Sequence, residues 1–413
     1  MKKQILFLTF FIAAILAGTN AFGQNDATFT EEIADGLPAD YVKYLSGSPD
    51  CAPVLPLSCL DSFTELEPQA GIEYTYSVTT SDADGDDQIH WFVVANVTNI
   101  IAPNNDITGM SGQVDPGDGN GLFISSVNPT TGVYNVPSQT TDNIDITWQY
   151  FDGNTDVVLL VAYVVDVDDC TDNIEVYRIK PKHSFTLDLA AITDAGALIG
   201  DTANYEECVS PIESAIYDDV AANDPGEGTL TVDYGENWVF FTVTAANWRD
   251  SWQPTFNWTY SGGVGDAITV EWAYPADAVA DVNWNSVTNG TASTTPVLPQ
   301  GGVTAVDTAG QCIIVRARID HGTANENAEA LTQTLNIAVD GIMEDPTAAA
   351  GDEYANASLG DLHYADCIVD GFENDWANYD LTPRPQVESA TGTPTLPFEL
   401  NTGDPNDPNF GDN

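Results

Sequence analysis

The residues best suited to chemistry are carboxylates. Asp82, Asp84, Asp86 and Asp87 surround Gly85 in "SDADGDD". Carboxylates gathered on a tight turn supply the oxygen donors that hard cations require, and Ca²⁺ takes 6–8 of them. Calcium is the cofactor this turn would hold. The EF-hand loop is not matched: counted from Asp82, the glycine falls two steps early and no Glu stands at the twelfth position. "DVDDCTD" (Asp166, Asp168, Asp169, Asp172) and "DPGDGN" (Asp115, Asp118) are similar clusters. Asp and Gly also favour turns for backbone reasons, so each cluster reads as a solvated hairpin turn as well.

Aromatic rings are the second candidates. The stretch Asn237–Tyr260 holds four of the nine tryptophans. Phe256, Trp258 and Tyr260 alternate and so share one face of a strand, as do Trp272 and Tyr274. Trp238 and Phe240 share a face, with Phe241 and Val243 opposite, which suits a strand covered on both sides. Most of these rings are expected in a core. Trp248 and Trp252 differ: they bracket "RDS" ahead of Pro254, where exposed rings would stack on a partner protein or a sugar face.

Enzyme signatures are poor. His90, His183, His321 and His363 are the only histidines, and no two are spaced for a zincin helix. "GMSG" lacks the spacing of a nucleophile elbow. "GDGNG" lacks the Lys-Ser/Thr and the helix of a phosphate loop. No carboxylate pair stands out among 63 acids. Arg316 and Arg318 share a strand face close to His321, which suits ion pairing with neighbouring acids better than a catalytic base.

Composition narrows the partners. Ten Lys+Arg oppose 63 Asp+Glu, a formal charge of −53. Nucleic-acid affinity comes mainly from cations neutralising phosphate, so a nucleic-acid partner is excluded, and an anionic membrane is disfavoured on the same ground. The small basic group in "YRIKPK" (Arg178, Lys180, Lys182) is too sparse to form a phosphate-binding face. Such acidity aids solubility and makes the chain repel itself, a strain that salt or divalent cations relieve. At 43% hydrophobic residues the chain still has the material for packed cores.

The N-terminus reads as a secretory signal peptide. Lys2 and Lys3 precede a short apolar run, and Ala21 and Gly23 suit cleavage before Gln24. That run is shorter than a spanning helix needs, and no later stretch is long and apolar enough, so no membrane insertion is expected. In an oxidising compartment the six cysteines are expected to pair. Pairing of sequence neighbours gives Cys51–Cys59, Cys170–Cys208 and Cys312–Cys367.

These residues must be positioned by strands. From about residue 70 to 345, runs such as "IHWFVVANVT" and "DVVLLVAYVVDV" alternate with Asp/Gly-rich turns, the pattern of a sandwich or barrel. Thr28–Leu37 and Pro211–Ala222 are the weak helix candidates. A rough duplication pairs Gly71–Thr80 with Gly235–Trp248, Ile144–Gly153 with Ala267–Asp277, Val157–Asp166 with Cys312–Asp320 and Asn173–Ile192 with Ala330–Ile342. Each copy closes on an acid-flanked cysteine, in "NYEECVSP" and "HYADCIVD". Beyond about Asp380, Pro, Asp, Asn, Thr and Gly dominate, as in a linker or tail. "TLPFEL" (Thr395–Leu400) is the apolar patch within it: either a strand that adds to a neighbour's sheet or a tail folding back.

At its strands the chain resembles the extracellular immunoglobulin-like and cadherin-like repeats of bacterial surface proteins of the Bacteroidota type. "YSVTTSDADGDDQIHWFVV" carries most of that likeness. The resemblance implies a fold and a surface role but no reaction. The expectation is an all-β protein of two tandem immunoglobulin-like β-sandwiches with a Pro/Asp-rich C-terminal tail. Its parts are a signal peptide (1–23), an N-terminal segment (24–66), sandwiches over 67–211 and 212–379, and the tail (380–413). The expected role is non-enzymatic, structural or adhesive, at the cell surface or outside the cell, with the periplasm as the other compartment. Partners would be other proteins or further copies of the chain. The rival readings are a carbohydrate-binding module, which needs Trp248 and Trp252 exposed, and a glycan-active hydrolase on a β scaffold, which needs a deep pocket with two facing carboxylates.

Overall fold

In a computed structural model the chain is described over residues 44–53, 55–80, 87–94, 142–148, 158–166, 171–199, 205–218, 229–248, 250–262, 266–300, 310–323, 332–345, 348–373 and 375–384. The signal peptide, the Thr28–Leu37 candidate, Asp82, Asp84, Asp86, Asp115, Asp118, Asp168, Asp169, Cys170 and "TLPFEL" lie outside these residues. Within them the protein is all-β, with two sandwiches in tandem.

The first sandwich uses β1 (Glu73–Ser77), β2 (Gln88–Val94), β3 (Asn143–Thr147), β4 (Val158–Asp166) and β5 (Thr171–Ile179). β1 pairs with β3, and β2-β4-β5 form an antiparallel sheet facing them. Alternate side chains of both sheets meet in one core that includes Trp91, Val93, Ile146, Trp148 and Leu160. The polar tips of its rings are satisfied. Trp148 Nε1 donates to Tyr76 Oη at 2.8 Å, and Tyr76 Oη donates to the Glu65 carbonyl at 2.6 Å.

The second sandwich is larger. Its strands, within a run of twelve, are β6 (Thr186–Ile192), β7 (Tyr205–Cys208), β10 (Glu236–Ala246), β11 (Trp252–Tyr260), β12 (Ala267–Ala273), β13 (Asn285–Val287), β14 (Thr291–Ala292), β15 (Gln311–Asp320), β16 (Gln333–Met343) and β17 (Trp376–Thr382); β8 (Ser214–Asp218) and β9 (Thr229–Asp233) form a separate hairpin. One sheet runs β13-β12-β15-β10-β6 and the other β14-β11-β16-β17-β7. All these pairings are antiparallel except β17 with β7. Between them lie Phe185, Val239, Phe241, Val243, Trp272, Val315, Phe256, Ile337 and Val339, all essentially closed to solvent.

The first of these sheets is covered on its outer face too. Leu45, Phe240, Ile314 and Ala278 pack there, with Trp238 and Trp284 against them. Leu45 comes from the N-terminal segment and Ala278 from the short helix α1 (Pro275–Ala280). The double-sided apolarity of β10 therefore serves a third layer. The Thr244 hydroxyl donates to the Ala52 carbonyl at 2.8 Å, and Cys51 is bonded to Cys312, holding the segment on the sheet.

Several expectations need correction. The described part of the Pro211–Ala222 candidate is not helical: Ser214–Asp218 is β8, paired antiparallel with β9. Among the described residues an α-helix lies instead at Pro275, whose fixed φ suits the first helical turn. β6 and β7, on the first-sandwich side of the expected 211/212 boundary, hydrogen-bond into the two sheets of the second. β17 continues to Thr382, past the expected end at 379. The duplicated segments also pair differently: β1 lies beside β3, whereas β10 and β12 are separated by β15. The disulfides are Cys51–Cys312 and Cys59–Cys367, not Cys51–Cys59 and Cys312–Cys367. Two nearby cysteines of the N-terminal segment are each carried to a distant part of the second sandwich, because the segment lies across it. Cys208 is exposed and is bonded to no described residue.

His183 sits in the link between the sandwiches, buried, with Nε2 2.8 Å from the Ser358 carbonyl, so this nitrogen carries the proton. Burial pushes its pKa down from 6.5 to about 4, partly offset by that bond. Between those values the unfolded chain binds more protons than the folded one, so the folded state loses stability as pH falls through the window. Denaturant titrations should show His183→Gln gaining on the wild type by on the order of 3 kcal/mol between pH 7 and pH 4. A constant difference across that range would refute the buried neutral imidazole.

Candidate functional site

The tryptophans proposed as contacts are not at the surface. Trp248 is 2% exposed and Trp252 0%. Trp248 Nε1 donates to the Ala245 carbonyl at 3.0 Å, and Trp252 packs on Phe185 with ring centroids 5.9 Å apart. Both belong to the core of the second sandwich, so the assignment of a ligand or partner contact to them is withdrawn. The turn between them is short, and the inward side of β11 begins at Trp252 itself.

Of the expected calcium turn, only Asp87 is described. It lines an open cleft of about 690 Å³ on the first sandwich together with Asp166, Asp172, Glu175 and Tyr177. Residues from two sequence clusters thus converge: Asp87 directly precedes β2, Asp166 ends β4 and Asp172 lies in β5, with Val165 opposite both Gln88 and Asp172.

The scarce cations are paired, as their strand position suggested. Glu271 stands directly across from Arg316 between β12 and β15. Arg316 Nη2 lies 2.8 Å from Glu271 Oε2, and Nη1 lies 2.6 Å from Asp281 Oδ1. The guanidinium also lies 3.9 Å from the Trp284 ring centroid and 4.7 Å from that of Trp238. Asp281 reaches it because it caps α1 in the left-handed region at φ 52°. Arg318 pairs with Glu236 and Asp320. His321 is fully buried, with Nε2 2.8 Å from Asn237 Oδ1 and Nδ1 3.8 Å from Asp266. It is a packed, hydrogen-bonded residue at the end of β15.

A further group of carboxylates was not singled out by the sequence. Asp361, Asp370 and Asp375 bring one carboxylate oxygen each within 4.8 Å of one another. They gather where the β16–β17 ladder runs out. β17 pairs with β16 from Gln333 to Ala338 only. Beyond that the free edge of β16 is taken up by the connection to β17. The Val339 amide donates to the Asp375 carbonyl at 2.9 Å. The Gly341 amide donates to Asp361 Oδ1 at 2.9 Å, so a side chain stands in for the missing strand carbonyl. Asp361 N donates to the Gly341 carbonyl, and Asp370 N to the Asp361 carbonyl. The approach there is close: a Cβ on Gly341 would come within 2.8 Å of Leu187 Cδ1 and 3.1 Å of the Trp252 ring, so a larger residue would make the Leu187 side chain shift.

Asp361 is completely buried, and its Oδ2 has no hydrogen-bond partner among the described residues. Burial and the charges of Asp375, Asp340 and Asp370 push its carboxyl well above the usual carboxylate range, against the bond from Gly341. Burial pushes Asp375 up to about 7, against a hydrogen bond with Asp361, while Asp370, Asp188 and Asp340 add to the rise. Asp340, on β16, is raised mainly by burial. The signal that could have revealed the group is the succession "GDLHYADCIVDGFENDW", in which acids punctuate a short apolar loop.

No protein-family model matches the chain, and no curated protein matches it. Among solved structures, it is similar to CfaE, the adhesive subunit of the CFA/I fimbria of enterotoxigenic Escherichia coli, at 12% identity and TM-score 0.26, covering 81% of this chain and 100% of that one. A second similar structure is the full-length major pilin RrgB of Streptococcus pneumoniae, at 10% identity and TM-score 0.20, covering 65% of this chain and 45% of that one. A third is AvmM, which catalyses macrocyclization in alchivemycin A biosynthesis, at 14% identity and TM-score 0.20, covering 50% and 94%. Likenesses this weak transfer no function.

The Arg316 arrangement makes a testable demand. Lysine keeps the charge but not the planar fork or the stacking. Arg316→Lys should cost about 1–2 kcal/mol and Arg316→Ala about 2–3 kcal/mol in chemical denaturation. Equal stability of Arg316→Lys and the wild type would show that the ring sandwich contributes nothing.

Proposed function

We propose that the protein is an exported structural or adhesive module that acts through its surface, at the cell exterior or in an extracellular assembly. The observation that carries this reading is the way the N-terminal segment is fastened. Cys51–Cys312 and Cys59–Cys367 span sequence separations of 261 and 308 residues. Disulfides persist in oxidising compartments, and long crosslinks restrict the unfolded chain most. Such crosslinks suit a protein that must stay folded outside the cell. No helix among the described residues is long and apolar enough to cross a membrane.

The rival readings find less support. A carbohydrate platform at Trp248 and Trp252 would need rings that are instead in the core. A hydrolase would need two carboxylates facing an accessible glycosidic bond, ~5–9.5 Å apart. The carboxylate group at Asp361 includes a residue closed to solvent, so a hydrolase would have to act at the open cleft lined by Asp87, Asp166, Asp172 and Glu175.

The test is the state of the native protein. Material released from the surface of the source cells should contain the chain in filaments, sheets or a stable complex under the electron microscope. In binding assays it should hold to a cell surface or to further copies of itself. Recovery solely as a soluble monomer that hydrolyses a glycan would replace this reading with the hydrolase.

A further inference from the structure

Asp361 poses a specific physical problem. It is completely buried, with Oδ1 taken by the Gly341 amide and Oδ2 without a donor. An unpaired buried carboxylate is among the costliest arrangements a protein can hold. Asp361 is not set in an apolar void, since the groups gathered around it are the carboxylates of Asp370 and Asp375, with Asp340 beside them. Carboxylate oxygens are acceptors only, so they cannot satisfy one another while ionised. What is missing is a shared proton, which would hydrogen-bond Asp361 to Asp340 or Asp375, or a positive charge.

We propose that Asp361, Asp370 and Asp375 bind a hard divalent cation, calcium, with Asp340 at the margin of the site. The geometry points there independently of the surface role proposed above. Oxygens that coordinate one calcium lie about 2.3–2.6 Å from it, so any two of them are at most ~5 Å apart. The three carboxylates meet that limit, since their oxygens all lie within 4.8 Å of one another. The donor set is all oxygen, with no imidazole or thiolate, which disfavours zinc and the softer metals. Calcium needs 6–8 oxygens, and the half-buried positions of Asp370 and Asp375 leave one side for water. Magnesium demands tighter octahedral geometry and keeps most of its waters, which suits a fixed buried carboxylate less well.

Such an ion would hold together three points of one connection. Asp361 and Asp375 are bonded to β16 at Gly341 and Val339, and Asp370 is bonded to Asp361 through the backbone. The site therefore joins the loop after β16 to the sheet edge that β17 leaves unpaired. None of its residues belongs to the "SDADGDD" stretch.

The experiment uses the full chain, stripped of metal with a chelator and melted at pH 8 with and without calcium. Calcium at a hundredfold excess over its dissociation constant should raise Tm by about 5 °C or more. Asp361→Asn and Asp375→Asn should each abolish that rise while melting, without calcium, no lower than the stripped wild type, because each removes one of the repelling charges. Asp84→Asn/Asp86→Asn should leave the rise in place. Terbium provides a second readout on the less buried position: the Trp376 indole next to Asp375 should sensitise its luminescence, and Asp375→Asn should lose that signal even where Asp361→Asn fails to fold. No change in Tm up to ~10 mM calcium, above the range of weak extracellular sites, overturns the proposal and leaves protons as the occupants. A rise that survives both Asn variants, or that disappears only with Asp84→Asn/Asp86→Asn, overturns it in favour of binding elsewhere.

Discussion

The second sandwich depends on the seam of alternating side chains between its two five-stranded sheets. Every strand has two faces, and period-two patterning commits one of them to the interior. Val239, Phe241 and Val243 on β10 meet Phe256 on β11 and Ile337 and Val339 on β16, all without solvent exposure. Each large side chain buried in this way contributes roughly 1.5–3 kcal/mol. That is the attraction that a chain carrying a formal charge of −53 must set against its own repulsion. The seam also explains why the tryptophans are inside. A chain with so many acids on its exterior places its large apolar area where it contributes most, and Trp252 and Trp272 are among its largest fully buried side chains.

The few cations extend this economy. Arg316 does not lie on the outside of the sheet as a solvated charge. Its guanidinium sits between two indoles and joins Glu271 to Asp281, covering the apolar outer face with a polar lid. Arg384 follows a different plan with the same effect. It donates to the carbonyls of Ser210 and Tyr234 at 2.6 Å and lies over the Tyr234 ring, so it fastens the end of β17 to backbone. Arginine suits such positions because its donors are arranged in a fixed plane.

What was legible in the sequence was local. Alternation marked the strands and indicated that β10 is covered on both sides, because both properties are written in consecutive residues. Pairing was less visible. Segments that looked duplicated take different neighbours in the two sandwiches, since hydrogen-bonding partners are set by the path of the chain. Nearest-neighbour pairing of cysteines failed for the same reason: the N-terminal segment runs over the second sandwich and brings Cys51 to Cys312 and Cys59 to Cys367. "SAIYD" was read as helical within a longer window, although its strand partner at Thr229–Asp233 lies beyond that window. The aspartates at 361, 370 and 375 were overlooked because an acidic chain makes every acid look solvated. Only burial, which depends on the fold, separates Asp361 from the rest.

The connection between β16 and β17 is where these themes meet. It contributes little to the apolar core: Leu359 and Leu362 are buried, while Tyr364, Ile368 and Val369 remain exposed. A segment with so few buried contacts opens easily unless something else holds it. Backbone bonds from Gly341 and Val339 fix its two ends, and Cys59–Cys367 ties its middle to the N-terminal segment. That segment is in turn fixed to β15 through Cys51–Cys312. The crosslinks therefore form a chain of restraints running from one sheet, across the outer strap, to the edge of the other sheet. Loosening either disulfide would leave the buried Asp361 carboxylate to be held by the hydrogen bonds alone, at the place where like charges push hardest against the fold.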